Sequence, residues 1–259
     1  MTTTHDRAVF AEHAVGATGR VAIRLASAEL RLAGTDGDRV TVRSAAGRAL
    51  PDRVIIEPGD GSLTIREKDF HGLSFRRGQR VVQLEIAVPT RAEVSVDTVS
   101  GWLDVVGLSG DQRYRTASAE ARLKGAAGRV DLVTVSGDAD VELDGSVDLG
   151  IKSVSGDIAV RGGRIGALRV STTTGRVRIE SPIVGLTGHT IETLSGDVDI
   201  VAGDGVAVEA RTVSGDLATD LPHTSEGRMG RRSLVVGNGA IKLAFRSVSG
   251  DLRIRAAKD

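Results

Sequence analysis

The stretch Ile151-Lys152-Ser153-Val154-Ser155-Gly156-Asp157-Ile158-Ala159-Val160 decides the fold. Ile151 and Ser153 flank Lys152 in a period-two pattern with one inward face, and Ile158 and Val160 resume that face after a Ser-Gly-Asp corner. Glycine permits a positive φ at such a corner, and aspartate bonds nearby backbone amides. The corner recurs as Val135-Ser136-Gly137-Asp138, Leu194-Ser195-Gly196-Asp197, Val213-Ser214-Gly215-Asp216 and Val248-Ser249-Gly250-Asp251. Degenerate copies stand at Val99-Ser100-Gly101-Trp102, Ala117-Ser118-Ala119-Glu120 and Thr173-Thr174-Gly175-Arg176. The hydroxyls fall at 100, 118, 136, 155, 174, 195, 214 and 249, so every step but the last is nearly the same length. That sustained period predicts an all-β solenoid, β-helix-like, with coils of about 19 residues, two main strands per coil and an irregular N-terminal cap.

Aligned on the hydroxyl, the copies form columns. Three residues after it stand Leu103, Ala121, Ala139, Ile158, Val177, Val198, Leu217 and Leu252; four before it stand Val96, Tyr114, Leu132, Ile151, Val170, Ile191, Ala210 and Phe245. These are the expected core. Their small size fits a thin interior between facing sheets and an aromatic content of only 2%. Two residues before the hydroxyl, every copy carries Thr or Ser, from Thr98 to Ser247, a ladder suited to satisfying backbone groups that turn away from the sheet.

Residues 1–90 are read as the cap and first irregular coils, and 91–259 as regular repeats with an insertion at about 222–238, all within one continuous domain. Two segments interrupt the period. Asp69 to Gly78 carries Phe70, His71, Phe75, Arg76 and Arg77; Pro222 to Asn238 carries Arg228, Arg231 and Arg232. Loops on a rigid scaffold are the usual carriers of function, so these eight residues are the candidate interaction sites.

Composition excludes several classes. Thirty-four basic against 34 acidic residues leave nothing global to recruit nucleic acid. There is no cysteine, hence no disulfide or thiolate chemistry, as in a reducing cytoplasm. The N-terminal Met1 to Arg7 leads to no apolar core of a signal peptide, and no apolar run is long enough to span a membrane. A cytoplasmic protein is expected. The five histidines show no metal spacing, the aspartate column is broken by Trp102, Glu120 and Arg176, and no nucleophile elbow is present. No catalytic, cofactor or metal residue is assigned, and the aspartates are read as turn caps.

The repeats at Thr134 to Val141, Ser153 to Val160, Thr193 to Ile200, Thr212 to Leu217 and Ser247 to Ile254 resemble those of a bacterial β-strand-repeat family of unknown function whose members are called candidate adhesins. The resemblance runs from about residue 20 to the C-terminus and implies a β-solenoid with no established catalytic residues. The expected function is therefore a non-catalytic scaffold or protein-interaction module, partnered by another protein or by itself through solenoid edges. An adhesin-like surface protein and, further off, a carbohydrate-active β-helix enzyme are the alternatives.

Overall fold

The computed structural model describes residues 9–45, 49–68, 70, 81–186, 188–202, 205–228 and 230–256. Every regular element among them is a β-strand. The chain divides into two compact units, Met1–Ala126 and Ala127–Asp259.

In the first unit the strands are β1 (Val9–Ala14), β2 (Arg20–Thr35), β3 (Arg39–Ser44), β4 (Val54–Gly59), β5 (Ser62–Glu67), β6 (Val82–Pro89), β7 (Glu93–Val106) and β8 (Gln112–Thr116); β9 (Glu120–Thr134) runs on into the second. Long strand β2 lies between its own successors. Its first half pairs in parallel with β5 on one side and β7 on the other, and its second half with β6 and β7. Antiparallel strands then cover the outer pair: β4 lies on β5, β3 on β6 and β1 on β3. These flanking strands occupy edges that parallel stacking would leave open.

The second unit continues with β10 (Ala139–Ser153), β11 (Ile158–Thr172), β12 (Val177–Ile179), β13 (His189–Thr193), β14 (Val198–Ala202), β15 (Gly205–Arg211), β16 (Leu217–Thr219), β17 (His223–Arg228), β18 (Arg231–Gly237), β19 (Ile241–Ser247) and β20 (Leu252–Ala256). Ala139 pairs with Ile158, Ile158 with Val177 and Val177 with Val198, all in parallel and each one repeat further along the chain. The next partner of Val198 is Leu252, and only beyond it comes Leu217. Likewise Ile191 meets Phe245, which meets Ala210. The last strands, β19 and β20, are thus tucked one place inward, between β13–β14 and β15–β16. Expectation and structure differ here: period alone puts the turns in sequence order.

A second difference concerns residues 222–238. Instead of an insertion loop they form the hairpin β17–β18, whose inner strand lies antiparallel on β15. β11 itself bends midway, at Gly162 and Gly163, with φ of 75° and 45° while its register against β10 shifts.

Burial follows the columns. Leu103, Ala121, Ile158, Val177, Val198 and Leu252 are buried, as are Val96, Tyr114, Leu132, Ile151, Ile191 and Phe245. Leu217 and Thr219, on the outermost strand, are half-buried. Tyr114 shows how the core admits a phenol. Its hydroxyl donates to Gln112 Oε1 at 3.0 Å, while Gln112 Nε2 donates to the Leu108 carbonyl at 3.0 Å. Burial pushes the phenol above its ordinary pKa, so it stays neutral.

Glycine at the corners answers a steric demand. A Cβ on Gly175 would lie 2.5 Å from the Gly156 carbonyl oxygen, one on Gly196 2.5 Å from that of Gly175, and one on Gly250 2.2 Å from that of Gly196. Gly250→Ala therefore forces backbone apart and is expected to cost about 3 kcal/mol. Gly16→Ala, at φ 80° with nothing within 4 Å, should cost only about 1 kcal/mol of conformational strain. Denaturant titration of the two variants checks the ranking, and equal losses would show that the corner has room.

Candidate interaction surface

The serine and aspartate positions of the Ser-Gly-Asp corner bond from one turn to the next. The Ser155 amide and hydroxyl both donate to the Val135 carbonyl, at 2.7 and 3.3 Å. Thr174 repeats this on Val154, Ser195 on Thr173, Ser249 on Leu194 and Ser214 on Val248. The aspartates reach onward instead of capping their own turn. Asp138 Oδ1 accepts the Asp157 amide at 2.8 Å, and Asp157 Oδ1 accepts the Arg176 amide at 2.8 Å. Asp197 then receives Asp251, and Asp251 receives Asp216, the same interchange of order that the strands show.

The buried hydroxyl column closes each corner from within. Thr134 Oγ1 accepts the Gly137 amide at 3.0 Å; Thr193, Thr212 and Ser247 do the same for Gly196, Gly215 and Gly250. At Gly101, Gly156 and Gly175 the glycine instead adopts φ of 116°, 134° and 100°. There Thr98 and Thr172 donate to the carbonyls of Ser100 and Thr174, and the Ser153 hydroxyl has no partner among the described residues.

The remaining position, between Thr and Ser, points outward and is apolar in most copies. Val135, Val154, Leu194, Val248 and Val213 are between 40% and 75% exposed. The serine-to-carbonyl bonds put them in the order Val135, Val154, Thr173, Leu194, Val248, Val213, one file along the second unit. At about 4.8 Å per strand, its five steps span roughly 24 Å. An aliphatic file of this length on a rigid corner is the marked surface feature of the unit.

Beside it, two residues N-terminal on each strand, runs a charged file: Lys152, Ser171, Glu192, Arg246, Arg211, Arg231 and Arg228 are successive cross-strand partners. Glu192 holds Arg246 at 2.8 Å. Neither Arg211 nor Arg231, both exposed, has an ion-pair partner among the described residues.

Of the residues singled out by sequence, His71, Phe75, Arg76 and Arg77 lie outside the described residues. Phe70 is half-buried, its amide donating to the Glu67 carbonyl at 3.3 Å. Arg228 and Arg231 are partners across the hairpin, where they join Arg211 and Arg246 in register. Arg232, one residue on, pairs with Asp216 at 3.5 Å instead. Sequence reading missed Arg211, Arg246 and the aliphatic file. The signal was present in the aligned columns three positions and one position before the serine.

Elsewhere the surface is charge-balanced. In the first unit Arg31 lies beside Glu85 at 3.7 Å and over the Trp102 ring at 5.2 Å, and Arg122 beside Glu120 at 3.9 Å. Arg31, Trp102, Leu103, Asp104, Glu120 and Arg122 line an open pocket of about 330 Å³. On the same unit, the Arg66 guanidinium holds the Glu57 carboxyl below the usual range. Among the described residues no group of His, Asp and Glu is placed to hold a metal, and no helix is long and apolar enough to cross a membrane.

A family model, Toastrack DUF4097, matches residues 19–255. The chain belongs to the Toastrack DUF4097 family. No curated protein sequence matches it. Among solved structures it is similar to a candidate adhesin from Parabacteroides distasonis, at 14% identity and a TM-score of 0.33, covering 96% of this chain and 98% of that one. A candidate lipid-binding protein from the same species gives 12%, 0.37, 96% and 97%. A candidate adhesin from Bacteroides fragilis gives 12%, 0.29, 98% and 99%. These likenesses bring no residue roles to this Toastrack chain.

The corner bonds predict a graded loss. Asp157→Ala strips the Arg176 amide of its acceptor and should destabilise by about 1–2 kcal/mol, whereas Ser155→Ala, which leaves the amide bond to Val135 in place, should cost about 0.5 kcal/mol. Chemical denaturation measures both; an Asp157→Ala protein as stable as the parent removes the inter-turn cap.

Proposed function

We propose that this Toastrack protein is a non-catalytic β-solenoid scaffold, coiled at the period of its Ser-Gly-Asp repeat, that uses the corner face of its second unit to bind another protein. The supporting observation is the aliphatic file Val135, Val154, Leu194, Val248 and Val213, exposed although its backbone is fixed by paired hydrogen bonds on every turn. A face that is both rigid and apolar binds without the entropy cost of ordering itself. Parallel pairing between residues one repeat apart supports the coil reading. The antiparallel strands β1, β3, β4 and β18 speak against end-to-end assembly, because they occupy the edges through which it would proceed. Absence of cysteine is consistent with work in the cytoplasm.

Placing carboxylates in the file provides the test. Leu194→Asp with Val248→Asp should leave the thermal midpoint within about 2 °C, since both side chains already face water. The same variant should lose the proteins that the parent retains from a lysate of the source cell, quantified by mass spectrometry. An unchanged set of retained proteins would sink the proposal.

A further inference from the structure

Cross-strand neighbours in the second unit bring four arginines into one row. Arg246 on β19 faces Arg211 on β15, Arg211 faces Arg231 on β18, and Arg231 faces Arg228 on β17. With strands about 4.8 Å apart, the row is roughly 14 Å long. Like charges directly opposite each other destabilise a sheet. Glu192, at the inner end, offsets them in part by its bond to Arg246. Other rows mix their signs: Asp97 lies between Arg24 and Arg115 in the first unit, although Arg66 also faces Arg24, and Glu142 faces Arg161 in the second. Nothing in packing calls for the arginines. Their stems are exposed at Arg211, Arg231 and Arg246, and the hairpin that delivers Arg231 and Arg228 breaks the repeat to do so.

The neighbouring columns narrow the choice of anion. On one side, two residues along each strand, stand the exposed Val213 and Val248. On the other stand Glu209, Ser233 and Glu226, again cross-strand partners. A uniformly anionic surface or polymer laid on the arginines would meet those glutamates and gain nothing from the valines. A polypeptide carrying a carboxylate column beside an apolar column complements both. Helical geometry suits the direction of the row, since side chains one turn apart recur at about 5.4 Å against about 4.8 Å for the strands, a mismatch that arginine stems absorb. Extended peptide, with same-side residues at about 6.6 Å, fits less well.

We propose that the Arg246–Arg211–Arg231 row, together with Val248 and Val213, binds an acidic amphipathic helix of a partner protein. This rests on the interaction-module reading above and names the chemistry of its partner. The probe is a labelled synthetic helix of about 18 residues, roughly 27 Å long, with a leucine file and an adjoining glutamate file. Fluorescence anisotropy should show binding by the full chain that weakens with salt. Lysine in place of glutamate should weaken it by about tenfold or more, and so should the double variant Arg211→Gln, Arg231→Gln.

That double variant should also melt no lower than the parent, because two facing like charges are gone; a structural role would lower the midpoint instead. Equal binding of the glutamate and lysine helices, undiminished binding by the double variant, or tighter binding of phosphatidylglycerol vesicles or single-stranded DNA would each overturn the assignment. Should the acidic helix fail while Leu194→Asp, Val248→Asp still abolishes lysate capture, the scaffold reading stands and the arginine row falls. Should the helix bind while that variant leaves capture unchanged, the row stands and the broader reading falls.

Discussion

Backbone meets backbone at the corners with no side chain between, and the rest of the molecule depends on that approach. The glycine column brings each turn close enough for serine to place two donors on one carbonyl below it. The same closeness lets an aspartate reach the amide of the next turn. Each such bond contributes little alone, about 1 kcal/mol, but the same bond recurs from turn to turn along the corner. Because corners are held this way, the interior can be made of small aliphatic side chains whose individual burial is modest. Phe245 and Tyr114 are the exceptions, and Tyr114 needs the Gln112 amide to be tolerated.

Much of this was legible in the residues themselves. The columns around Ile151, Ile158 and their equivalents are buried because a period-two strand followed by a fixed corner leaves no other face to bury. Sequence order of the turns was not recoverable. Val198 can stack on Leu217 or on Leu252 with nearly the same shape and hydrophobicity, so repetition conceals which one it chooses. The hairpin was hidden for a different reason: His223 to Arg228 is polar throughout, and its strand character comes from pairing with β18 instead of from burial. For the interaction surface, the sequence pointed to Arg228 and Arg231 but not to Arg211 and Arg246. Those partners come from strands far apart in the chain, and Arg231 joins them only because β18 folds back antiparallel onto β15.

Surface charge then separates scaffold from site. Several ladders set opposite signs side by side, as where Asp97 lies between Arg24 and Arg115, although Arg66 also faces Arg24. The arginine row of the second unit sits beside the most exposed of the valines, Val213. Paired corner hydrogen bonds, an exposed aliphatic file and a row of adjacent arginines coincide on one face of the second unit. On the proposed reading, the pattern of the partner's own acidic and apolar side chains would be what this face discriminates by.

The inward tuck of β19 and β20 has a consequence for the making of the protein. On the ribosome, β15 and β16 emerge before the strands that must lie between them and β13–β14. Because the columns are alike, the earlier pair can settle directly on β13–β14 and must later give way, so nascent chains face a kinetic detour that a simple sequential pile would avoid.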